Sequence, residues 1–183
     1  MSTHETPSPA ATAATNKFTG RDVAEILREK GWLSDAASPA QFAWCERAAA
    51  LLGPHVTDSR SLADLLNLVF YYNAQELLAR VESHAVLARY AARDVLRHLA
   101  LLLLDGTPLT SERFKEIVNA LKAILGIGSR EIFHPIRLAL TGRAGEGELD
   151  RVILLLDEAA ALSFAVPVKS ARERILEFCI ALD

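Results

Sequence analysis

An arginine stands inside an apolar run in the last third of the chain. The stretch REIFHPIRLALTGR places Arg137 where a buried helix would normally carry leucine or alanine, and Arg130 and Arg143 bracket it. Because the planar guanidinium donates two parallel hydrogen bonds, arginine suits phosphates and the paired acceptors of bases. Taken alone, however, an arginine inside a helix more often forms a structural ion pair, for instance with Glu131 or Asp150. A nucleic-acid contact is the alternative.

A second set of arginines recurs every four residues. Arg89, Arg93 and Arg97 would lie on one side of a continuous helix, opposite a stripe of apolar residues. A solvated helix face is the first interpretation of this pattern. A ridge that binds phosphate is the alternative.

Patterns typical of enzymes are missing. The sequence contains no GxGxxG, Walker, HExxH or GxSxG motif. Asp157 and Glu158 are neighbours, so on a helix they point to different faces and form no carboxylate pair. Cys45 and Cys179 lack the spacing of metal ligands and are expected to be buried, reduced thiols. The sequence therefore predicts no catalytic activity, no metal and no cofactor.

The elements that position these residues are helices. Straight-chain residues and alanine dominate, and no alternation typical of strands is sustained. We therefore expect an all-α helical bundle of eight or nine helices. The first four helices have pairs with capping-box spacing at their starts. These pairs are Thr19 with Asp22, Ser38 with Gln41, Ser61 with Asp64, and Asn73 with Glu76.

The later helices are bounded by similar signals. Ser83 begins or interrupts a long helix that reaches Leu104, and Thr110 or Ser111 opens the next one, which Gly126 or Gly128 closes. Ser129 or Pro135 starts the helix that carries Arg137. After a glycine-rich loop, two helices are expected over about 148–162 and 168–182.

Charge and composition limit the kinds of partner that the protein is expected to bind. The formal net charge of −3 over 183 residues argues against a protein that coats nucleic acid by bulk electrostatics. Any RNA contact must be local, and DNA is not expected. Residues 1–17 lack the features of a signal peptide and are predicted to be a disordered tail. The most apolar run, 99–104, is too short to span a bilayer. We expect a cytoplasmic protein without a membrane contact.

The region around Arg137 resembles a known family. The order FKEIVNALKAILGIGSREIFHPIRLALTGRAGEGELDRVILLL is similar to the anticodon-binding region of bacterial glutamyl-tRNA synthetases, class I aminoacyl-tRNA synthetases whose anticodon-binding domain is a helical bundle. The likeness extends more weakly to about residue 18. The matched residues are Phe133, Pro135, Arg137, Ala139, Leu140, Thr141, Gly142 and Leu149.

The resemblance implies roles for particular residues. In the family, the arginine that follows the proline reads the first anticodon base, and a leucine of the next loop contacts the same nucleotide. Arg137 would then read the base and Leu149 would pack on it, which requires the guanidinium to project into solvent. A second family arginine, tied to the third anticodon base, aligns with His55, or with Arg60 if a small insertion is allowed.

The family's catalytic domain and its HIGH-like and KMSKS-like motifs have no counterpart in this sequence. The resemblance therefore implies a free-standing, non-catalytic tRNA-binding module that is accessory to aminoacylation and acts with a separate synthetase or another protein partner. Residues 18–72 would form a first helical subdomain and 73–183 the anticodon-binding-like one. Glu146 and Glu148 place negative charge in the loop. The alternative is therefore a helical protein-interaction module that kept the fold and lost RNA binding.

Overall fold

A computed structural model describes residues 15–34 and 36–183. Within these residues the chain forms ten α-helices and no strand, and nine of the helices have seven or more residues. The all-α bundle is therefore confirmed. Most of the predicted N-terminal tail, residues 1–14, lies outside the described residues. The elements are α1 Gly20–Glu29, α2 Pro39–Leu52, a 3₁₀ turn Gly53–His55, α3 Ser59–Phe70, α4 Ala74–Leu78, α5 Val81–Leu87, α6 Ala92–Leu103, α7 Ser111–Leu125, α8 Ser129–Thr141, α9 Glu148–Ala161 and α10 Ala171–Leu182.

Local capping chemistry sets most helix starts. Thr19 and Ser38 form capping boxes, and Asn73 and Thr110 accept backbone N–H groups of their helices. The predicted start of the third helix is wrong. The Asp58 carboxylate accepts the N–H of Ser61 at 2.7 Å, so α3 begins at Ser59 rather than after a Ser61 cap.

The expected long helix up to Leu104 is two helices. α5 ends at Leu87 and α6 begins at Ala92, because Ala91 adopts a left-handed backbone with φ of 60°. α5 and α6 both pack against α8. Arg89 therefore lies in the connecting turn, and the predicted ridge of Arg89, Arg93 and Arg97 along one continuous helix is wrong.

One buried core runs through the described residues. Its aromatic part joins Trp32, Trp44, Phe70 and Phe164, and the Trp44 indole donates to the carbonyl of Leu155 at 3.2 Å. Helix α9 packs on α2 and α3 on one side and on α8 and α10 on the other. The division at residue 72 stays a prediction, and buried residues from both sides of it meet in this core.

The apolar run at residues 99–104 lies on α6, which has 12 residues. Its Leu99 and Leu103 are buried in the bundle, whereas Leu101 faces out. Among the described helices, none combines the length and the hydropathy that crossing a membrane requires.

Helix α8 lies among α5, α6, α7, α9 and α10. It begins at Ser129 and carries Pro135 inside, so Ser129 is the correct one of the two expected starts. It ends at Thr141, and the capping residue Gly142 has a φ of +85° and no room for a side chain, since an added Cβ would come within 2.6 Å of a Leu77 methyl carbon. The Thr141 hydroxyl donates to the carbonyl of Arg137 at 2.7 Å. The LTG end of α8 is therefore a structural stop that orients the following loop.

Candidate nucleic-acid interface

Arg137 is held by its neighbours. Its Nε and Nη2 donate to the two carboxylate oxygens of Asp150 at 2.8 and 2.9 Å, and its Nη1 donates to the carbonyl of Gly145 at 2.9 Å. The guanidinium also lies over the Phe133 ring, 4.9 Å from its centroid. The side chain is only 12% exposed. The expectation that it projects into solvent is therefore wrong, because the first turn of α9 brings Asp150 to it.

This ion pair stabilises the protonated form of Arg137 and occupies only some of its N–H donors. The hydrogen bond to Asp150 is the main cause that raises the pKa of Arg137, and burial acts in the opposite direction. Glu146 and Glu148 raise the pKa further through their charge. A guanidinium has five N–H donors. The contacts with Asp150 and Gly145 use three of them, so donors remain for another acceptor.

A groove opens beside the ion pair. It is a cavity of about 310 Å³ between the starts of α7 and α9, with the 3₁₀ turn at one side. We call this cavity the groove. The residues that line it include His55, Lys115, Phe133, Asp150 and Arg151. Phe133 is half-buried and packs edge-to-face on Phe114 with centroids 6.0 Å apart. His55 therefore lines the same groove as Asp150, the carboxylate that holds Arg137.

Aromatic side chains line the inside of the groove, and basic side chains lie at its rim. His55, Lys115 and Arg151 are exposed. Asp150, the one carboxylate in the lining, is balanced by Arg137. Proteins that bind single-stranded nucleic acid combine cations that follow the backbone with aromatic rings on which bases stack. The groove has both of these features.

A basic surface continues along α8. The Nη1 of Arg89 lies 2.5 Å from Nδ1 of His134, and arginine can only donate, so the imidazole nitrogen accepts. Burial lowers the pKa of His134, and the positive charges of Arg89, Arg130 and Arg137 lower it further, against Glu146. We call Arg89, Arg130 and His134 the α8 basic surface. Arg130, one of the predicted site residues, and Arg137 therefore both lie close enough to His134 to affect its pKa.

The other predicted site residues lie elsewhere. Arg143 is exposed and lines a separate cavity of about 370 Å³ together with Arg80, beyond the C-terminal end of α8. Arg60 is exposed on the first turn of α3 and does not line the groove. Leu149 is 1% exposed and supports the loop from beneath, 3.4 Å from the position of a Cβ added to Gly145. In this conformation Leu149 offers no surface to a base.

A second arginine, Arg174, carries no signal in the sequence that marks its role. Arg174 on α10 is fully buried and donates to four carbonyl oxygens without any carboxylate partner. Three acceptors belong to the last turns of α3 and α8, where carbonyls have no partner within the helix. They are Leu68 at 2.7 Å, Val69 at 2.5 Å and Leu140 at 2.9 Å. The guanidinium also lies 4.8 Å from the Tyr72 ring centroid. Arg174 thus joins three helices.

No metal or thiol chemistry emerges from the part of the chain that the structure describes. It contains no group of three or more His, Cys, Asp or Glu side chains that could hold a metal ion. Both cysteines are free. Burial raises the pKa of Cys45 to about 11 and also raises that of Cys179. Both thiols therefore stay protonated and unreactive near neutral pH.

Comparison with known proteins identifies the family of the domain. The family model of the anticodon binding domain matches residues 10–163. The glutamate–tRNA ligase 2 of Syntrophus aciditrophicus is 29% identical over 115 residues, 63% of this chain and 23% of that protein. The glutamate–tRNA ligase of Carboxydothermus hydrogenoformans is 32% identical over 101 residues, 55% of this chain and 21% of the ligase. That of Exiguobacterium sibiricum is 26% identical over 138 residues, 75% of this chain and 28% of the ligase. No solved structure matches the chain.

The fold and the groove define an all-α domain whose distinctive surface is built on α8 and its neighbours. Because the family model covers far more than half of its residues, the chain belongs to the anticodon binding domain family. The resemblance to the anticodon-binding region of glutamyl-tRNA synthetases is thereby confirmed. The chain spans less than a third of the length of the curated relatives it matches.

Proposed function

We propose that the chain is a non-catalytic tRNA-binding module and that its groove receives the anticodon loop. The observation that carries the proposal is the combination of the half-buried Phe133 ring on α8, packed against Arg137, and a basic rim around the same groove. Anticodon loops present splayed bases that proteins recognise by stacking and by contacts to base edges. The family membership of the chain supports the same conclusion.

Each residue in and beside the groove receives a role that fits its place. Lys115, Arg151 and His55 at the rim contact phosphates, and Phe133 offers a ring for a base. Arg137 positions the groove wall and donates through its remaining N–H groups. In this proposal Leu149 supports the loop from within the core instead of touching the nucleotide.

Arginines outside the groove extend the proposed RNA contact surface. Arg130 and Arg89 lie close to His134 on α8, and in this proposal they contact the backbone of the same RNA loop. Arg143 and Arg60 are exposed outside the groove and are proposed only as further phosphate contacts. Such contacts position the RNA and do not read its sequence.

We further infer an accessory role in aminoacylation. The matched family model is that of an anticodon binding domain, and the sequence lacks the nucleotide-binding motifs of a synthetase. The module therefore holds a tRNA while a separate synthetase or another protein carries out the chemistry. Purified protein is expected to bind tRNA without forming aminoacyl-tRNA from glutamate and ATP.

The test is an anisotropy titration of a labelled tRNA with the wild-type protein and a Lys115→Ala/Arg151→Ala variant. Loss of two phosphate contacts should weaken binding and reduce the slope of log affinity against log salt by about 1.4, at roughly 0.7 per contact with a single strand. Arg21→Ala on α1 removes an exposed cation outside the groove and serves as the control. An unchanged slope in the double variant, or an equal loss in the control, would contradict the proposal.

A protein-interaction module remains the second candidate, because apolar side chains face outward on two packed helices. Leu101 on α6 is 65% exposed and Ile180 on α10 is 77% exposed. This candidate predicts no salt-dependent association with tRNA, because phosphate contacts impose that dependence. The same titration, repeated from low to high salt, therefore separates the two functions.

A further inference from the structure

Asp150 is the feature of the groove that tRNA binding alone does not explain. We propose that this carboxylate makes the groove selective for a base with an exocyclic amino group, and among pyrimidines for cytosine over uracil. The inference rests on the proposed function, since it concerns which base the same groove accepts.

The ion pair fixes the orientation of the Asp150 carboxylate and leaves some of its hydrogen-bond acceptor sites free. Each carboxylate oxygen accepts one hydrogen bond from Arg137, at 2.8 and 2.9 Å. A carboxylate has about four acceptor sites, so roughly half of them remain open. The side chain is 23% exposed and lines the groove. Its two bonds to Arg137 hold the carboxylate in one orientation without covering it.

The groove suits a single base. Its volume of about 310 Å³ lies at the lower end of the range for small-molecule sites, which is roughly 300–1,000 Å³. Phe133 supplies a ring on one wall, and Lys115 and Arg151 supply cations for the flanking phosphates. A base that enters between these groups brings one of its edges to the Asp150 carboxylate.

The chemistry of that edge decides the selectivity. A carboxylate can only accept, and Asp or Glu accepting from the N4 amino group of cytosine is a known mode of base recognition. Uracil carries a carbonyl oxygen at the corresponding position, so two acceptors would face each other without a proton between them. Leaving such buried polar groups unpaired is costly, and this cost is the basis of discrimination between close analogues.

The other nearby carboxylates cannot replace Asp150. Glu146 and Glu148 influence Arg137 through their charge, but neither lines the groove. They therefore repel phosphate whichever base is present. Glu148 lies on the same first turn of α9 as Asp150 and provides a matched control for the removal of one negative charge.

The experiment compares two RNA hairpins that share one stem and carry an all-cytidine or an all-uridine loop. Wild-type protein is expected to bind the cytidine loop about tenfold more tightly, as one good base contact confers. Asp150→Asn should abolish this preference, because an amide can donate to the uracil carbonyl as well as accept. Glu148→Gln should strengthen binding to both hairpins equally and leave their ratio unchanged.

A third hairpin makes the test independent of any variant. Its loop carries pyrimidin-2-one, which is cytosine without the amino group, and wild-type protein should bind it about as weakly as the uridine loop. Equal binding of the cytidine and uridine hairpins, or a preference that survives in Asp150→Asn, would overturn the role of Asp150 and leave tRNA binding intact. Failure of wild-type protein to bind any hairpin or tRNA would overturn the proposed function, and this inference with it.

Discussion

Two arginines near the C-terminal half of α8, one on that helix and one on α10, have opposite surroundings. Arg174 is fully buried at the C-terminal end of α8, and its partners are backbone carbonyls of α3, α8 and the turn before α10. Arg137 lies about one turn before the end of α8, pairs with the Asp150 carboxylate and packs over the Phe133 ring, and both of these partners line an open groove. Burial lowers the pKa of Arg174 to about 10, whereas the bond to Asp150 raises that of Arg137. Both side chains are positively charged at neutral pH.

This difference shows which of the two arginines can interact with a binding partner. Three of the carbonyls around Arg174 belong to helix ends that lack intrahelical donors, so this guanidinium is committed to the fold. Arg137 keeps N–H groups free, and its anionic partner lines the groove. One arginine therefore stabilises the bundle, and the other shapes a surface that can bind.

The largest expected effect is the loss of the buried arginine. Arg174→Met should lower the free energy of unfolding by about 3–5 kcal/mol, because the carbonyls of Leu68, Val69 and Leu140 would be buried without donors. Urea denaturation measures the change. Arg174→Lys keeps a charge but lacks the planar fork and should recover only part of the loss. A loss below about 1 kcal/mol would show that Arg174 does not hold the helix ends together.

The ion pair at the groove should matter less for stability. Arg137→Ala leaves Asp150 partly buried without its partner, and we expect a loss of about 1–2 kcal/mol, reduced by solvent screening at this edge of the protein. The double variant Arg137→Ala/Asp150→Ala should regain part of that loss, which a double-mutant cycle detects. If Arg137→Ala cost as much as Arg174→Met, the contrast between the two arginines would fail.

A smaller effect is expected at Tyr72, which lies against Arg174. Its buried hydroxyl is within hydrogen-bonding distance of the carbonyls of Ala139 and Arg174, and burial raises its pKa far above the usual range. Tyr72→Phe should cost about 1 kcal/mol in unfolding free energy, as the loss of one hydrogen bond does. It should leave tRNA affinity unchanged. A drop in affinity at unchanged stability would place Tyr72 in the binding surface instead.

The smallest expected effect is a pH dependence at His134. Because its pKa is lowered in the folded protein, the unfolded chain takes up a proton first as the pH falls. The stability that neutral His134 contributes is therefore complete above its ordinary pKa of 6.5 and is lost as the pH falls through the lower, folded value. Denaturation midpoints across this range should fall more for wild-type protein than for His134→Gln. Identical curves would show that the imidazole and its neighbouring arginines are not coupled.

Local signals in the sequence were sufficient for much of the fold. Thr19, Ser38 and Asn73 cap helices where their spacing predicted, since capping depends on neighbours three residues away. The break at Ala91 could not be predicted, because no glycine or proline marks it. It occurs where α5 and α6 both pack on α8, which is a tertiary effect that local propensity does not encode.

The site was predictable only in part, for a similar reason. Arg137 was identified because a charge in an apolar run is conspicuous, and Asp150 was one of two expected partners. Arg174 escaped notice because its ligands are carbonyls, which every residue carries. The groove depends on the meeting of His55, Lys115 and Arg151 from three separate segments, and no sequence spacing reveals such a meeting.

The most direct test of the central contrast is an NMR titration of the isotope-labelled protein with an anticodon stem-loop RNA. If the groove is the binding surface and Arg174 belongs to the fold, chemical-shift changes should concentrate at His55, Lys115, Phe133 and Asp150–Arg151. The amides around Leu68, Leu140 and Arg174 should stay unchanged. Changes centred on Arg174, or no changes at any RNA concentration, would contradict this account.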